Sequence, residues 1–229
     1  MKEVIKSMII GTPLEPIIRK LISKPKIVFK NSPDYWEQRY SSKGDSGAGS
    51  YGRLAEFKAS VINKFVEENR INSVVEFGCG DGNQLTLAKY PRYIGLDVSS
   101  TAIQLCKERF KRDPTKSFSN VTDEKDVKAE LSMSLDVIFH LVEDKIFNDY
   151  MATLFNASKL YVCVYSSNYT DEFAYGTEHV RHREFTRWVW QNAPEFELVS
   201  EIENLYPYDV NDPNNTSFAN FFFFKRRDR

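Results

Sequence analysis

From Arg53 onward the chain alternates between two hydrophobic periods. Leu54, Phe57, Val61 and Phe65 recur at helical spacing with charged residues between them, which predicts an amphipathic helix over 53–69. Ser73-Val74-Val75-Glu76-Phe77 reads as a short strand running into glycines, 83–90 as a helix and 93–96 as a second strand. Ser99-Ser100 offers an N-cap for a helix over 101–111. Phe118 marks a weak strand, Leu135-Asp136-Val137-Ile138-Phe139 a strong one, and 160–165 another. Between the last two, 144–157 carries Ile146, Phe147, Tyr150, Met151 and Leu154 on one helical side. Strands alternating with helices predict parallel βαβ units and a sheet covered on both faces. At the end, 196–202 and 218–224 are strands with only a turn-rich insert, 206–215, between them, which predicts an antiparallel hairpin at the sheet edge. Phe221 to Phe224 is apolar on both faces of a strand and must be covered, because exposed it would invite aggregation. Residues 225–229 read as a solvated tail.

The first 52 residues have another pattern. Pro13, Pro16, Pro25 and Pro33 interrupt short apolar pieces, and 41–52 is rich in Ser and Gly. Prolines at that density allow short helices and loops but no sheet core. The chain therefore divides into an N-terminal cap or lid over 1–52 and an α/β domain over 53–229.

Composition narrows the class. The 229 residues are 41% apolar, as in a globular domain. Lys and Arg number 31 against 32 Asp and Glu, a net charge of −1, so the global positive field of a nucleic-acid binder is missing and no nucleic-acid partner is expected. Three cysteines, Cys79, Cys106 and Cys163, fit neither a zinc site nor a disulfide framework and read as reduced thiols. No apolar run approaches the ~20 residues of a membrane span, and no secretory signal is apparent. A cytoplasmic protein is expected.

The sharpest signal is Val74-Val75-Glu76-Phe77-Gly78-Cys79-Gly80-Asp81-Gly82-Asn83-Gln84, where a strand ends in three alternate glycines. Missing Cβ atoms let the chain turn sharply and let a ligand approach the main chain, while free amides favour polar or anionic groups. Asp97 ends the next strand about 20 residues on, the offset at which a carboxylate meets a ribose diol in dinucleotide folds. Dinucleotide fingerprints want Gly or Ala where Asn83 stands, and no amphipathic helix before the glycine strand. An NAD-dependent oxidoreductase is thus the alternative rather than the first reading.

At these residues the chain resembles the class I S-adenosylmethionine-dependent methyltransferases. Glu76 to Gly82 is similar to their E/DxGxGxG motif, Gly95-Leu96-Asp97-Val98-Ser99 to their second motif, 135–143 to their fourth strand and the segment after it, and the terminal strand pair to their reversed hairpin. The resemblance spans about 53–225. It implies a Rossmann-like seven-stranded sheet, mostly parallel with an antiparallel C-terminal strand, helices on both faces and an N-terminal helical cap. It also implies an enzyme using S-adenosylmethionine. Glu76, Gly78, Cys79, Gly80, Gly82, Asn83 and Gln84 would line the methionine side, with Asp97 and Val98 at the ribose, Asn120 and Val121 on the adenine side, and Phe139 at the fourth strand. Tyr35-Trp36-Glu37-Gln38-Arg39-Tyr40 resembles a YWxxRY segment that closes over the cofactor, which implicates Trp36, Arg39 and Tyr40.

Candidate chemistry rests on three histidines. His140 comes directly after the predicted fourth strand, on the rim that carries the loop and Asp97, and an imidazole can take a hydroxyl proton near neutral pH. Glu143 or Asp144 could orient it; its alternative role is to pack on the cofactor. His179-Val180-Arg181-His182-Arg183 concentrates basic groups in a neutral chain: Arg181 and Arg183 could clamp an acceptor anion, and His179 or His182 could serve as base. No third ligand accompanies the histidines, so no metal is expected. Tyr51-Gly52-Arg53, His140 to Asp144 and the HVRHR segment together resemble bacterial members associated with surface-polysaccharide biosynthesis, which implicates Tyr51 and Glu143 in acceptor binding. The resulting expectation is an O-methyltransferase acting on a sugar hydroxyl or phosphoryl-type oxygen. A non-catalytic protein that keeps the fold and only binds is the second alternative.

Overall fold

A computed structural model of the chain describes residues 29–124, 126–170 and 178–227. Pro13, Pro16, Pro25 and the apolar pieces among them lie outside the described residues. Helix α1, Ser32–Ser41, is followed by a 3-10 turn at Ala48–Ser50 and by α2, Gly52–Glu68. Then come β1 (Val74–Phe77), β2 (Tyr93–Asp97), α3 (Ser100–Arg109), β3 (Lys116–Asn120), β4 (Ala129–Leu135), α4 (Asp144–Ala157), β5 (Ser158–Ser166), α5 (Phe185–Asn192), β6 (Phe196–Ile202) and β7 (Asn220–Arg226).

The seven strands form one sheet in the order β3-β2-β1-β4-β5-β7-β6. The first five are mutually parallel, and β7 runs antiparallel between β5 and β6. The strand order reverses between β1 and β4, so a crevice opens beyond their carboxyl ends, where open α/β sheets bind ligands. Two apolar layers cover the sheet. Ile62 and Val66 of α2 and Ile103 and Cys106 of α3 pack on one face, and Met151 and Leu154 of α4 with Phe185 and Val189 of α5 on the other. The phenylalanine run of β7 serves both: Phe221 and Phe223 enter the first layer, Phe222 and Phe224 the second, and all four are buried.

Three expectations are corrected. The predicted helix 83–90 is only a 3-10 turn at Gln84–Leu87, ended by extended Ala88. The predicted strand 135–139 lies earlier, at Ala129–Leu135. Its serines disguise a buried strand: Ser132 Oγ donates to the carbonyl of Leu154 at 2.8 Å, and Ser134 Oγ meets the Tyr150 hydroxyl at 2.8 Å. After Leu135, Asp136 adopts φ +58 and Ile138–His140 forms a 3-10 turn, so the apolar run Val137-Ile138-Phe139 is a corner. The supposed tail begins in the sheet, since Lys225 and Arg226 belong to β7 and the Arg226 guanidinium lies 4.4 Å over Phe196. Among the described residues no helix is long and apolar enough to cross a membrane.

Candidate active site

The loop after β1 is shaped by its glycines. Gly78 and Gly80 have φ of +86 and +56; a Cβ at Gly78 would stand 2.5 Å from Val137 Cγ2, and one at Gly80 2.4 Å from Ser46 Oγ. Both the strain and the space demand glycine. Asp97, buried at the end of β2, ties this loop to the start of α3: Oδ2 accepts from the Gly80 amide and Oδ1 from the Ser99 amide, each at 2.9 Å. Burial raises its pKa to about 6 against these hydrogen bonds, which pull the other way. Burial also raises Glu76 to about 7, although the Tyr93 hydroxyl donates to its carboxylate at 2.6 Å.

Above the loop lies a cap made from residues 31–51. The Asn31 side chain accepts from the Asp34 amide and starts α1, with Pro33 in the first turn. Glu37 accepts from Ser99 Oγ at 2.7 Å and Thr101 Oγ1 at 2.5 Å, a carboxylate placed on the N-terminus of α3. The Ser32 hydroxyl lies 2.7 Å from both a Glu143 carboxylate oxygen and the carbonyl oxygen of His140, which share its one hydrogen, and the Ser32 amide donates to Glu143 at 3.1 Å. Tyr51 donates to Asp81 at 2.7 Å, and Tyr40 shares a hydrogen bond with Ser46 at 3.0 Å. Tyr51 and Glu143, expected at an acceptor, thus hold the cap to the domain.

Two adjoining cavities result. The first, at the glycine loop, is lined by Trp36, Tyr40, Glu76, Gly78, Cys79, Gly80, Gln84, Asp97, Val98 and Val121 of the expected cofactor residues. The second is lined by Trp36, Arg39, Asp136, Phe139, His140, His179 and residues of the 208–218 insert. Phe139 and Arg39 therefore border the second cavity. Arg39 donates to the carbonyl of Asp45 at 2.6 Å and pairs with its carboxylate at 3.2 Å. Asn83 and Asn120 act within the loops: Asn83 donates to the Ser50 carbonyl and Asn120 to the Val98 carbonyl.

Of the histidines, His140 and His179 meet in the second cavity. Their rings stack at 5.5 Å, and His140 Nδ1 lies 3.0 Å from the His179 carbonyl, so it donates there. Burial pushes the His140 pKa down to about 3, with the neighbouring cations adding to the effect. His182 is apart from both cavities, buried with Nδ1 2.7 Å from Ser167 Oγ. The structure does not bring Arg181 and Arg183 to the site. Arg181 donates to the Val142 carbonyl and Asp144, and Arg183 to the carbonyls of Leu141 and Val142 and to Asp144. Their guanidiniums brace the turn into α4, which explains the basic cluster without an anion. Among the described residues no three His, Cys, Asp or Glu side chains are grouped to hold a metal.

A pair that sequence reasoning missed stands between the cavities. Lys58 of α2 is 1% exposed and its Nζ lies 2.6 Å from Asp136 Oδ2. One signal existed: Lys58 is four residues from both Leu54 and Ile62, a cation on the buried stripe of an amphipathic helix.

No protein-family profile matches this chain. Among curated proteins, EEF1A lysine methyltransferase 4 of Mus musculus is 29% identical over 105 residues, 42% of this chain and 40% of that protein. The match thus spans well under half of that relative's length. Among solved structures, the N-methyltransferase NodS of Bradyrhizobium japonicum WM9, in complex with S-adenosyl-L-homocysteine, superposes with a TM-score of 0.67 at 14% identity, covering 87% of this chain and all of that one. The chain has a class I methyltransferase fold. The methyltransferase domain of bacterial CtHen1-C gives a TM-score of 0.58 at 19% identity over 77% of this chain and all of that one. Magnesium protoporphyrin IX methyltransferase of Synechocystis PCC 6803, with bound S-adenosylhomocysteine, also gives 0.58, at 11% identity, over 99% of this chain and all of that one.

Proposed function

We propose that this chain is an S-adenosylmethionine-dependent methyltransferase of a small polar acceptor, most simply an O-methyltransferase of a saccharide precursor. The observation that carries the reading is Asp97, fixed by two backbone amides at the end of β2 with its carboxylate on the wall of the crevice. A carboxylate has about four acceptor positions, so acceptor capacity remains for a ribose hydroxyl. The rest of the crevice suits the same ligand. Val98, Val121, Leu141 and Ile146 offer apolar surface for an adenine. Gln84 Oε1 is buried without a hydrogen-bond partner among the described residues, beside the glycine loop, and would accept from the ammonium of an amino-acid moiety. When bound, S-adenosylmethionine supplies a methyl group on a sulfonium, whose bonding pair stays with sulfur. What this chain adds is alignment of the acceptor, exclusion of water under the cap and a group that takes the acceptor's proton.

A second reading, methylation of an amine, is favoured by the lysine methyltransferase relative and by NodS. Surface-polysaccharide chemistry rests on the sequence resemblance alone. Calorimetric titration with S-adenosylmethionine and NADH decides the first question: micromolar affinity for the former with none for the latter is expected, and the reverse restores the oxidoreductase. Release of S-adenosylhomocysteine in the presence of an acceptor would distinguish an enzyme from a binding protein.

The ribose assignment also predicts a pH dependence. The carboxylate form of Asp97 accepts from the ribose, and its pKa sits near 6. The contribution of Asp97 to affinity should therefore be complete well above pH 6 and fall below it, by up to tenfold per pH unit. Calorimetry at pH 5 and 7.5 reads this directly; equal affinity at both would remove Asp97 from the ribose.

A further inference from the structure

Asp136 lines both cavities, as Trp36 and Ser46 also do, so it stands where an acceptor would meet the cofactor. Its backbone is held at φ +58, a left-handed conformation of the kind that persists only where the surroundings enforce it and that gathers at functional sites. The surroundings are specific. Lys58 Nζ takes Oδ2 at 2.6 Å from a position that is 1% exposed. Gly49 packs so closely that a Cβ there would fall 2.7 Å from the same oxygen. Oδ1 has no hydrogen bond among the described residues, and the side chain keeps 20% of its surface exposed. A carboxylate clamped on one oxygen and open on the other, between a cofactor crevice and an aromatic-walled cavity, is built to receive a hydrogen. His140 is placed differently: it lines only the second cavity and gives its Nδ1 to the His179 carbonyl.

We propose that Asp136 Oδ1 seats the acceptor, accepting the hydrogen of its nucleophilic O–H or N–H and taking that proton as the oxygen or nitrogen gains a methyl group. The acceptor forms one bond to the methyl carbon as the carbon–sulfur bond breaks with its pair left on sulfur; the acceptor loses one bond to hydrogen, and the proton passes to Oδ1 and from there to solvent. This rests on the methyltransferase reading and narrows it. The nucleophile is a neutral hydroxyl or amine. An ionised phosphoryl or carboxylate oxygen has no hydrogen to offer to Oδ1. Any phosphate on a sugar acceptor then lies away from Asp136.

The test uses the full chain and the double variant Lys58→Met/Asp136→Asn, which removes both charges together and leaves neither buried alone. Affinity for S-adenosylmethionine by calorimetry is expected within tenfold of the wild type. With the best acceptor from a panel of methyl glycosides, aminoalkyl glycosides, lysine peptides, sugar phosphates and uronates, kcat should fall at least 100-fold, and further than in His140→Ala. If the double variant does not fold, Asp136→Glu decides, since it keeps the charge and displaces the oxygen by one methylene. Its kcat should fall about tenfold, and further than its affinity for S-adenosylmethionine. Wild-type kcat in either variant, a larger loss in His140→Ala, or a methyl ester of phosphate or carboxylate among the products overturns the inference. So does a panel in which a chain that binds S-adenosylmethionine turns over no hydroxyl or amine. Failure of the wild type to bind S-adenosylmethionine is a different result, seen before any acceptor is added, and overturns the methyltransferase reading itself.

Discussion

Asp136→Asn alone is expected to lower the free energy of unfolding by up to about 3–5 kcal/mol, the range for breaking a buried ion pair on one side, since Lys58 is buried while Asp136 keeps 20% of its surface exposed. The loss comes from the partner left behind. Lys58 is 1% exposed in the middle of α2, with Tyr165 5.3 Å from its ammonium, and its hydrogen-bonding partner is the Asp136 carboxylate. A neutral amide at 136 still accepts a hydrogen bond but returns none of the charge. Against a typical domain stability of about 5–15 kcal/mol, such a loss is large. Urea denaturation monitored by circular dichroism measures it, and a midpoint within error of the wild type would show that Lys58 finds solvent. The paired change Lys58→Met/Asp136→Asn should recover most of the stability, because it leaves no uncompensated buried charge. The contrast between single and double variants separates the fold's need for a neutral pair from the chemistry's need for a carboxylate.

The second large effect concerns Asp97. Its replacement by alanine should weaken S-adenosylmethionine binding by roughly 1–3 kcal/mol, the range for leaving buried hydrogen-bonding groups without their partner, which is about five- to 150-fold in Kd. Two contributions add. The ribose diol loses its acceptor, and the amides of Gly80 and Ser99 lose theirs, so the glycine loop and the start of α3 are no longer tied together. Asp97→Asn keeps an acceptor for one of those amides and should fall between alanine and the wild type. Isothermal titration on the three proteins checks the order, and unchanged affinity in Asp97→Ala would take the ribose elsewhere.

Local pattern made much of this molecule readable. The 3.6-residue period of 53–69 returned as α2, Ser99 caps α3 as its position suggested, and the helixless pair at the end became β6 and β7. The glycine loop was legible for a stronger reason, since positive φ at alternate residues leaves few other choices. What misled was chemistry seen without its partners. Arg181 and Arg183 look like an anion clamp until Asp144 and two backbone carbonyls claim them. Ser132 and Ser134 look like a loop until Leu154 and Tyr150 satisfy them. Glu143 looks like a substrate ligand until Ser32, 111 positions away in the chain, meets it.

Local pattern was enough for the alternation of strands with helices, the turn at Gly78 to Gly82 and the carboxylate at the end of β2, because periodicity and backbone sterics act over a few residues; it did not reveal α5 or the true place of β4. Only the tertiary structure decided which polar groups are already matched and which still face a cavity. That distinction depends on distant partners: Lys58 closes one oxygen of Asp136 and leaves the other open because α2 and the end of β4 meet across 78 positions of chain.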